Sequence, residues 1–447
     1  MTTSPLDIGR LLDDSRLSTY QVQVVALTAL TIIFDGADIQ LLAFAIPSMM
    51  QDWNVARPSF APVLASSLIG MMIGGALSGL AGDRLGRKIA LTGSVAVFGI
   101  STLAVVAVND LFTLGVIRFL AGLGLGGAIP NAAALTAEYV PLRHRPLAVT
   151  VTIVCVPVGG TLAGLLAAPI LPAFGWRALF LVGGVAPLLV ALVLWWLLPE
   201  SPRFLVRDPA RWPQLTRVLR RLGHDLPAAP VFADASDHSR ARATIGALLS
   251  SGLAHDTLAL WSAFSFCLLA VYLAFNWVPA ALTSTGLDVA TGSRGLAAFN
   301  FGGIAGALIG ALVTTRVGSK ATLTALSLSA AASAAITAAM PIGVGTSSQL
   351  VILMLAVIGA LVNGTQVGLY AVATHIYPTA LRATGVGTAL SVGRLGAVVS
   401  TYLGAWALDL GGTRLFFAAV ALAMVVAMGA VLVLRDHVTR TAVSEPS

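Results

Sequence analysis

The sequence predicts an all-α polytopic membrane protein, with twelve transmembrane helices in two six-helix bundles. Three observations carry this. Charged residues make up 10% of the 447, against roughly 25% in an ordinary soluble domain. Apolar residues make up 57%, with a mean hydropathy of +0.90, and they gather in twelve runs. The second half of the chain repeats loop patterns of the first.

Composition excludes several classes at once. A soluble chain this large has too much surface to cover with so few polar groups. Disordered chains are polar and charge-rich, and this one is neither. Two cysteines, Cys155 and Cys267, are too few for a secreted disulfide scaffold, and both lie in apolar runs where no bridge is suggested. The alternating pattern of a membrane barrel is absent.

The runs place spans at 20–48, 60–81, 89–108, 111–137, 146–171, 177–198, 257–282, 293–315, 321–341, 349–373, 384–408 and 413–434. The first is no cleaved leader. It outlasts the apolar core of a signal peptide, about 7–15 residues, and carries two aspartates. Trp53 and Trp176 fall near outer boundaries, where an aromatic belt is expected.

Sidedness follows from the arginines. With the N-terminus in the cytoplasm, twenty basic residues fall in inner loops and tails. Four fall outside: Arg57, Arg177, Arg294 and Arg414. That bias predicts a multi-pass protein of the cell (inner) membrane with both termini cytoplasmic. It also accounts for the net charge of +7 by topology, so no nucleic acid partner is implied. Two arginines remain inside spans, Arg118 and Arg394.

One long polar interval divides the chain. Residues 1–198 form a first six-helix bundle, 199–256 a cytoplasmic central loop, and 257–447 a second bundle. Within the loop, Arg211 to Gly223 reads either as an amphipathic helix on the inner membrane surface or as a solvated linker helix.

The halves match in two places. Gly82-Asp83-Arg84-Leu85-Gly86-Arg87-Lys88 follows the second span, and Thr314-Thr315-Arg316-Val317-Gly318-Ser319-Lys320 follows the eighth, 232 residues later. Glu138, Pro141 and Arg145 follow the fourth span. His375, Pro378 and Arg382 follow the tenth, 237 residues later. Two bundles related by an internal repeat, with a site near midplane between them, account for both matches.

Inside a membrane, a charge is costly and is usually functional or lines a wet cavity. Asp35 and Asp38 lie three apart in the first span, on one helix face. Two close carboxylates do not both ionise readily in low dielectric, which suits a proton carrier. The plainer reading is a charge pair with a nearby arginine. Arg118 lies roughly 10–12 Å in from the outer surface, at about the same depth, so an ion pair to the first span is reasonable. It also offers a planar fork for a substrate carboxylate. Arg394 lies near midplane with no acidic partner at that depth in its own half. A substrate anion would explain it, and so would a contact with Asp35 or Asp38. Asn276, Trp277, Asn300, Asn363, Gln366 and Tyr370 are further candidates to line a site, and for each an interhelical hydrogen bond or packing explains as much. Glycines such as Gly70/Gly74, Gly75/Gly79 and Gly302/Gly306/Gly310 read as close helix packing. Gly122 to Gly127 resemble a nucleotide loop, but no strand precedes them. Histidines are scattered, no metal-ligand spacing occurs, and nothing suggests an enzyme.

These residues resemble the major facilitator superfamily. The resemblance rests on Gly82 to Lys88, on Arg118 with the glycines after it, on Glu138–Pro141–Arg145, on Pro378–Arg382, and on Pro199-Glu200-Ser201-Pro202-Arg203. Within that superfamily the chain is similar to the aromatic acid:proton symporters. That finer likeness rests on Asp35-Gly36-Ala37-Asp38, Pro130-Asn131, Phe174-Gly175-Trp176-Arg177 and Gly393-Arg394-Leu395-Gly396-Ala397. It implies the major facilitator fold and proton-coupled uptake of an aromatic carboxylate such as a hydroxybenzoate, by alternating access. It implies Asp35 and Asp38 as proton-coupling residues, Arg118 as a polar partner in the fourth span, and Arg394 as a substrate or coupling residue. Gly82, Asp83, Arg84, Gly86, Arg87, Lys88, Glu138 and Arg145 become the gating set. Departures are Thr315 and Ser319 where the first copy has Asp83 and Arg87, and His375 opposite Glu138. No cofactor is expected, only the proton gradient. The expected partners are a small organic acid, a proton and the lipid bilayer, with the chain a monomer. The alternatives are a proton-coupled carrier or exporter of a sugar, organic cation or drug, and a sensor that does not transport.

Overall fold

The structure, a computed structural model, describes residues 6–227, 230–233, 245–249, 252–343, 345–377 and 381–435. Pro378, the repeat partner of Pro141, lies outside the described residues. Ten continuous helices among the described residues are long and apolar enough to cross a membrane. Eight cross once: Thr19–Trp53, Ala61–Leu85, Arg87–Ala104, Leu111–Tyr139, Ala254–Thr283, Val289–Val317, Ser319–Ala339 and Ser348–Ile376. The other two, Arg145–Leu197 and Arg382–Val433, have 53 and 52 residues. At about 1.5 Å per residue, each is more than twice the length one crossing needs.

Each long helix is broken once, at a glycine. Gly175 has φ 75° and ψ 178°, and Gly412 has φ 59° and ψ −150°. Residues with a side chain rarely hold such angles, so these two positions are where the chain turns back. Twelve crossings result, numbered here spans 1 to 12, in two six-helix bundles. Gly175 and Gly412 are 237 residues apart, the same spacing as the Pro141 and Pro378 copies.

Local chemistry sets several boundaries. Span 1 opens on a capping box: Gln21 N–H donates to Ser18 Oγ at 3.3 Å, and Ser18 N–H donates to Gln21 Oε1 at 2.7 Å. Asp110 caps span 4 by accepting from Thr113 N–H at 2.8 Å, and that bond holds the Asp110 carboxyl below the usual carboxylate range. Small residues let backbones touch. A methyl group on Gly70 or Gly74 of span 2 would overlap carbonyl oxygens of Phe119 and Leu123 in span 4. Gly302 and Gly306 of span 8 meet Ala356 and Ala360 of span 10 in the same way. Gly79 departs from the packing expectation, since open space lies before it.

The apolar core is asymmetric along the membrane normal. At the arginine-poor end one cluster runs through both bundles, from Phe44, Phe60 and Trp176 to Trp277, Phe299 and Phe416. At the arginine-rich end there are two clusters. One holds Val24, Phe98, Tyr139 and Leu215, the other Leu260, Phe264, Leu323 and Tyr377. The bundles therefore share one core at one end and have two at the other, where the first bundle's core also takes in Ala397, with Tyr272 and Val398 of the second bundle packed against it. Trp176 is buried in the fused core, edge-on to Trp53 at 5.5 Å, and donates to Asp52 at 3.0 Å. It does not join a lipid-facing belt.

The central segment is divided between the bundles. Helix Trp212–Arg221 buries Leu215, Val218 and Leu219 in the first bundle's core. Phe232–Ala233 pairs in parallel with Leu6–Asp7 near the N-terminus. The turn Ile245–Leu248 belongs to the second bundle, with Leu248 in its core. The apolar face of the Arg211–Gly223 segment thus lies against protein, neither on lipid nor in solvent.

Candidate functional site: the buried charges between the bundles

Span 1 brings two carboxylates to depth, and the structure gives them different neighbours. Both are buried. Asp38 Oδ1 accepts from Thr102 Oγ1 of span 3. Its Oδ2 lies 3.3 Å from Arg118 Nη2, which also donates to the Asp38 carbonyl at 3.1 Å. Arg118 is 1% exposed, and its Nε and Nη1 have no hydrogen-bond partner among the described residues. The ion pair between spans 1 and 4 therefore closes inside the first bundle. Asp35 has no hydrogen-bond partner on either oxygen among the described residues. The charges acting on it are Asp38 and, from the other bundle, Arg394.

Arg394 of span 11 sits where the bundles meet. Its Nη1 donates to the Met71 carbonyl of span 2 at 3.4 Å. It is half-buried and forms no ion pair among the described residues. Besides Asp35, its charge acts on Tyr272 of span 7 and Tyr370 of span 10. Gln366 lies beside Tyr370, whose ring packs edge-on against Phe264 at 5.3 Å. The cluster of Asp35, Arg394, Tyr272, Tyr370 and Gln366 spans the bundle interface. It combines one cation, one carboxylate, two phenols and an amide.

The remaining candidates are held by protein. Asn276 donates to Ser400 Oγ at 3.5 Å, Trp277 to the Thr401 carbonyl at 3.1 Å, and Asn363 to the Gly359 carbonyl at 2.9 Å. Asn300 forms a reciprocal amide pair with Gln40 of the other bundle. Asn300 Nδ2 donates to Gln40 Oε1 at 2.7 Å, and Gln40 Nε2 donates to Asn300 Oδ1 at 3.0 Å. Arg57 and Asp409, 3.3 Å apart, also bridge the bundles at that end. Gln40 and Tyr272 were not singled out from the sequence. The signal for Gln40 was present, an amide two residues past Asp38 in an apolar run.

A second polar network lies at the arginine-rich end. Arg87 Nη2 donates to Asp83 Oδ1 at 2.6 Å, Nη1 donates to Asn131 at 3.3 Å, and Nε is 3.7 Å from Glu138 Oε1. Glu138 also accepts from Ser201 Oγ. Glu200 Oε1 accepts backbone N–H from Ser201 at 2.9 Å and from Lys88 at 3.1 Å. Burial pushes the Glu200 carboxyl up, while those N–H groups pull it down. A methyl group on Gly86 would overlap that carboxylate, and a methyl group on Gly82 would overlap Asn131. Arg145 donates to Asp13 at 2.5 Å. Arg84 is exposed. The roles of Asp13, Glu200 and Ser201 were not read from the sequence, although the Pro199–Arg203 stretch stood out.

Residues 28–365 match the family profile described as Major Facilitator Superfamily. This chain belongs to that superfamily. It is a transporter, not an enzyme. Relatives in the superfamily include the gallate transporter of Pseudomonas putida, 34% identical over 93% of this chain and 92% of that one. The 4-hydroxybenzoate transporter PcaK of Pseudomonas putida is 35% identical over 91% of this chain and 90% of that one. Among solved superfamily structures, the inward-open xylose transporter XylE from E. coli overlays with a TM-score of 0.71 at 16% identity, covering 95% of this chain and 98% of that one. At that identity the overlay speaks to the fold alone.

Proposed function

We propose that this chain is a proton-coupled importer of a small aromatic carboxylate such as a hydroxybenzoate. The observation that carries the reading is Arg394. It is a cation at the bundle interface with no carboxylate paired to it among the described residues, and it acts on Asp35 across that interface. A substrate carboxylate supplies the missing anion. Tyr272 and Tyr370 offer ring edges and hydroxyls to an aromatic body. Similarity to gallate and 4-hydroxybenzoate transporters supports the substrate class.

The coupling follows from charge balance in low dielectric. A proton on Asp35 frees Arg394 for the incoming anion, so substrate and proton load together. Asp38 answers to Arg118 and Thr102, which hold it in place beside Asp35. Arg118 keeps two nitrogens without a hydrogen-bond partner among the described residues, a second place for a carboxylate. Movement is by rocking of the two bundles. The arginine-rich ends face the cytoplasm of the inner membrane, and the fused core with the Gln40–Asn300 pair closes the path from outside. The protein acts as a monomer in the bilayer.

The test is uptake of labelled 4-hydroxybenzoate into proteoliposomes under an imposed pH gradient. Arg394→Gln is expected to weaken apparent affinity by about thirtyfold, the value of one charge-assisted bond of about 2 kcal/mol. Unchanged affinity removes Arg394 from the substrate site. Asp35→Asn and Asp38→Asn are expected to abolish gradient-driven accumulation. Accumulation that still follows the gradient overturns the coupling role. Net movement outward in energised vesicles overturns import.

A further inference from the structure

A groove of about 700 Å³ lies at the arginine-rich end of the first bundle, away from the buried charges. Its floor is the end of span 6, where Trp195 and Trp196 are 56% and 74% exposed. Its opposite wall is helix Trp212–Arg221, with Lys88 of span 3 between them. That helix is fixed by its buried apolar side and by Trp212 stacking edge-on to Phe232 at 5.6 Å, so its arginines are displayed on a rigid support.

The charge balance in the groove favours an anion. Lys88, Arg211, Arg217 and Arg221 line it, against one carboxylate, Glu200. Glu200 is already occupied by backbone N–H groups. Arg211 is paired with Asp208 at 3.3 Å. Lys88 lies over the Trp195 ring at 5.9 Å, with its charge also acting on Glu200, and Arg221 lies over the Tyr20 ring at 5.7 Å, a cation–aromatic contact that leaves its charge available. Arg217 is exposed and forms no ion pair among the described residues. The apolar wall is the second clue. Leu85, Ile89, Trp195 and Leu197 are all exposed, at the end of membrane-spanning helices. Cations beside exposed tryptophan and aliphatic surface at a helix end fit a ligand that is anionic at its head and apolar below it.

We propose that this groove binds the phosphate of an anionic phospholipid, with the acyl chains against the Trp195–Leu197 wall. That the lipid belongs to the cytoplasmic leaflet rests on the orientation proposed above. The binding itself does not. The phosphate bridges helix Trp212–Arg221 to Lys88, and so ties the central segment to the loop that carries Arg87.

The test is native mass spectrometry of the full chain, with phosphatidylglycerol or phosphatidylcholine of matched acyl chains. Phosphatidylglycerol is expected to be retained preferentially. Arg217→Gln with Arg221→Gln is expected to lower its retention by about thirtyfold, or about 2 kcal/mol for two arginines. Arg217→Lys with Arg221→Lys is expected to keep most of it, which guards against a folding defect. Arg143→Gln, an exposed arginine outside the groove, is expected to change nothing. Equal retention of the two lipids, equal retention by wild type and the glutamine variant, or an equal loss in Arg143→Gln overturns the site. Displacement of the lipid by millimolar inorganic phosphate shows a free-anion site and overturns the lipid assignment. Cytoplasmic labelling of Gln214→Cys checks the leaflet separately.

Discussion

The loops after span 2 and span 8 have nearly the same backbone and quite different chemistry. Gly86 has φ 105° and ψ 153°, and Gly318 has φ 95° and ψ 156°. Around Gly86 a charged lattice joins Asp83, Arg87, Asn131, Glu138, Ser201 and Glu200. Around Gly318 the corresponding lysine, Lys320, donates at 2.8 Å to the Leu434 carbonyl just past the end of span 12. Among the described residues the cation there answers a helix C-terminal region and pairs with no carboxylate. The repeat preserves the turn, and the side chains then differ. Among the described residues the first bundle's loop is latched by ion pairs, and the second's is held by a hydrogen bond to a backbone carbonyl.

Breaking the turns should have the largest effect. Alanine at either glycine sits in a backbone region nearly closed to side chains, at a cost of about 1–3 kcal/mol. Gly86→Ala also meets the Glu200 carboxylate, so its thermal unfolding should fall further than that of Gly318→Ala. Equal losses would mean Glu200 yields freely. Breaking the latch comes next. Arg87→Gln removes three polar contacts, each worth about 1 kcal/mol or less where partly exposed. Transport rate should change several-fold, whereas Arg316→Gln should change it little. Matching effects in the two variants would erase the contrast between the loops.

A smaller effect sharpens the same contrast through pH. The Glu200 carboxyl is raised above its ordinary value of 4.5, mainly by burial. The folded state then holds the proton more tightly than the unfolded one. Its contribution to stability is fully present below that ordinary value and is lost as pH rises through the folded value. Glu200→Gln keeps an oxygen for the two N–H groups and cannot ionise. Its unfolding temperature should fall less than that of wild type as pH rises across this window. Parallel curves would remove Glu200 from the pH response.

How much was legible differs by feature. The spans followed from hydropathy and the absence of barrel alternation, because lipid leaves a backbone only the helix or the closed barrel. The breaks between spans 5 and 6 and between 11 and 12 were placed by short interruptions of charges and turn residues, and Gly175 and Gly412 fall inside them. The ion pair of Arg118 with Asp38 was visible as a match in depth. Which aspartate Arg118 takes was not, since residues three apart share one helix face and differ mainly in depth, a choice that only packing resolves. Glu200 stood inside a recognisable stretch, but its burial under Gly86 depends on a loop returning across 112 residues of chain.

What the sequence determined by itself is which segments cross the membrane, how they repeat, and which charges are left inside. Those follow from composition and from counting along one dimension, since the solvent penalises every polar group in the same way. Tertiary structure decided the partners: Asp38 to Arg118, Asp35 toward Arg394, Gln40 to Asn300, and the arginine helix with its apolar side on the protein. It also decided which end is fused. That choice rests on contacts between residues far apart in the chain, such as Phe44 with Trp277 and Phe299 in one core, which counting along one dimension does not reveal.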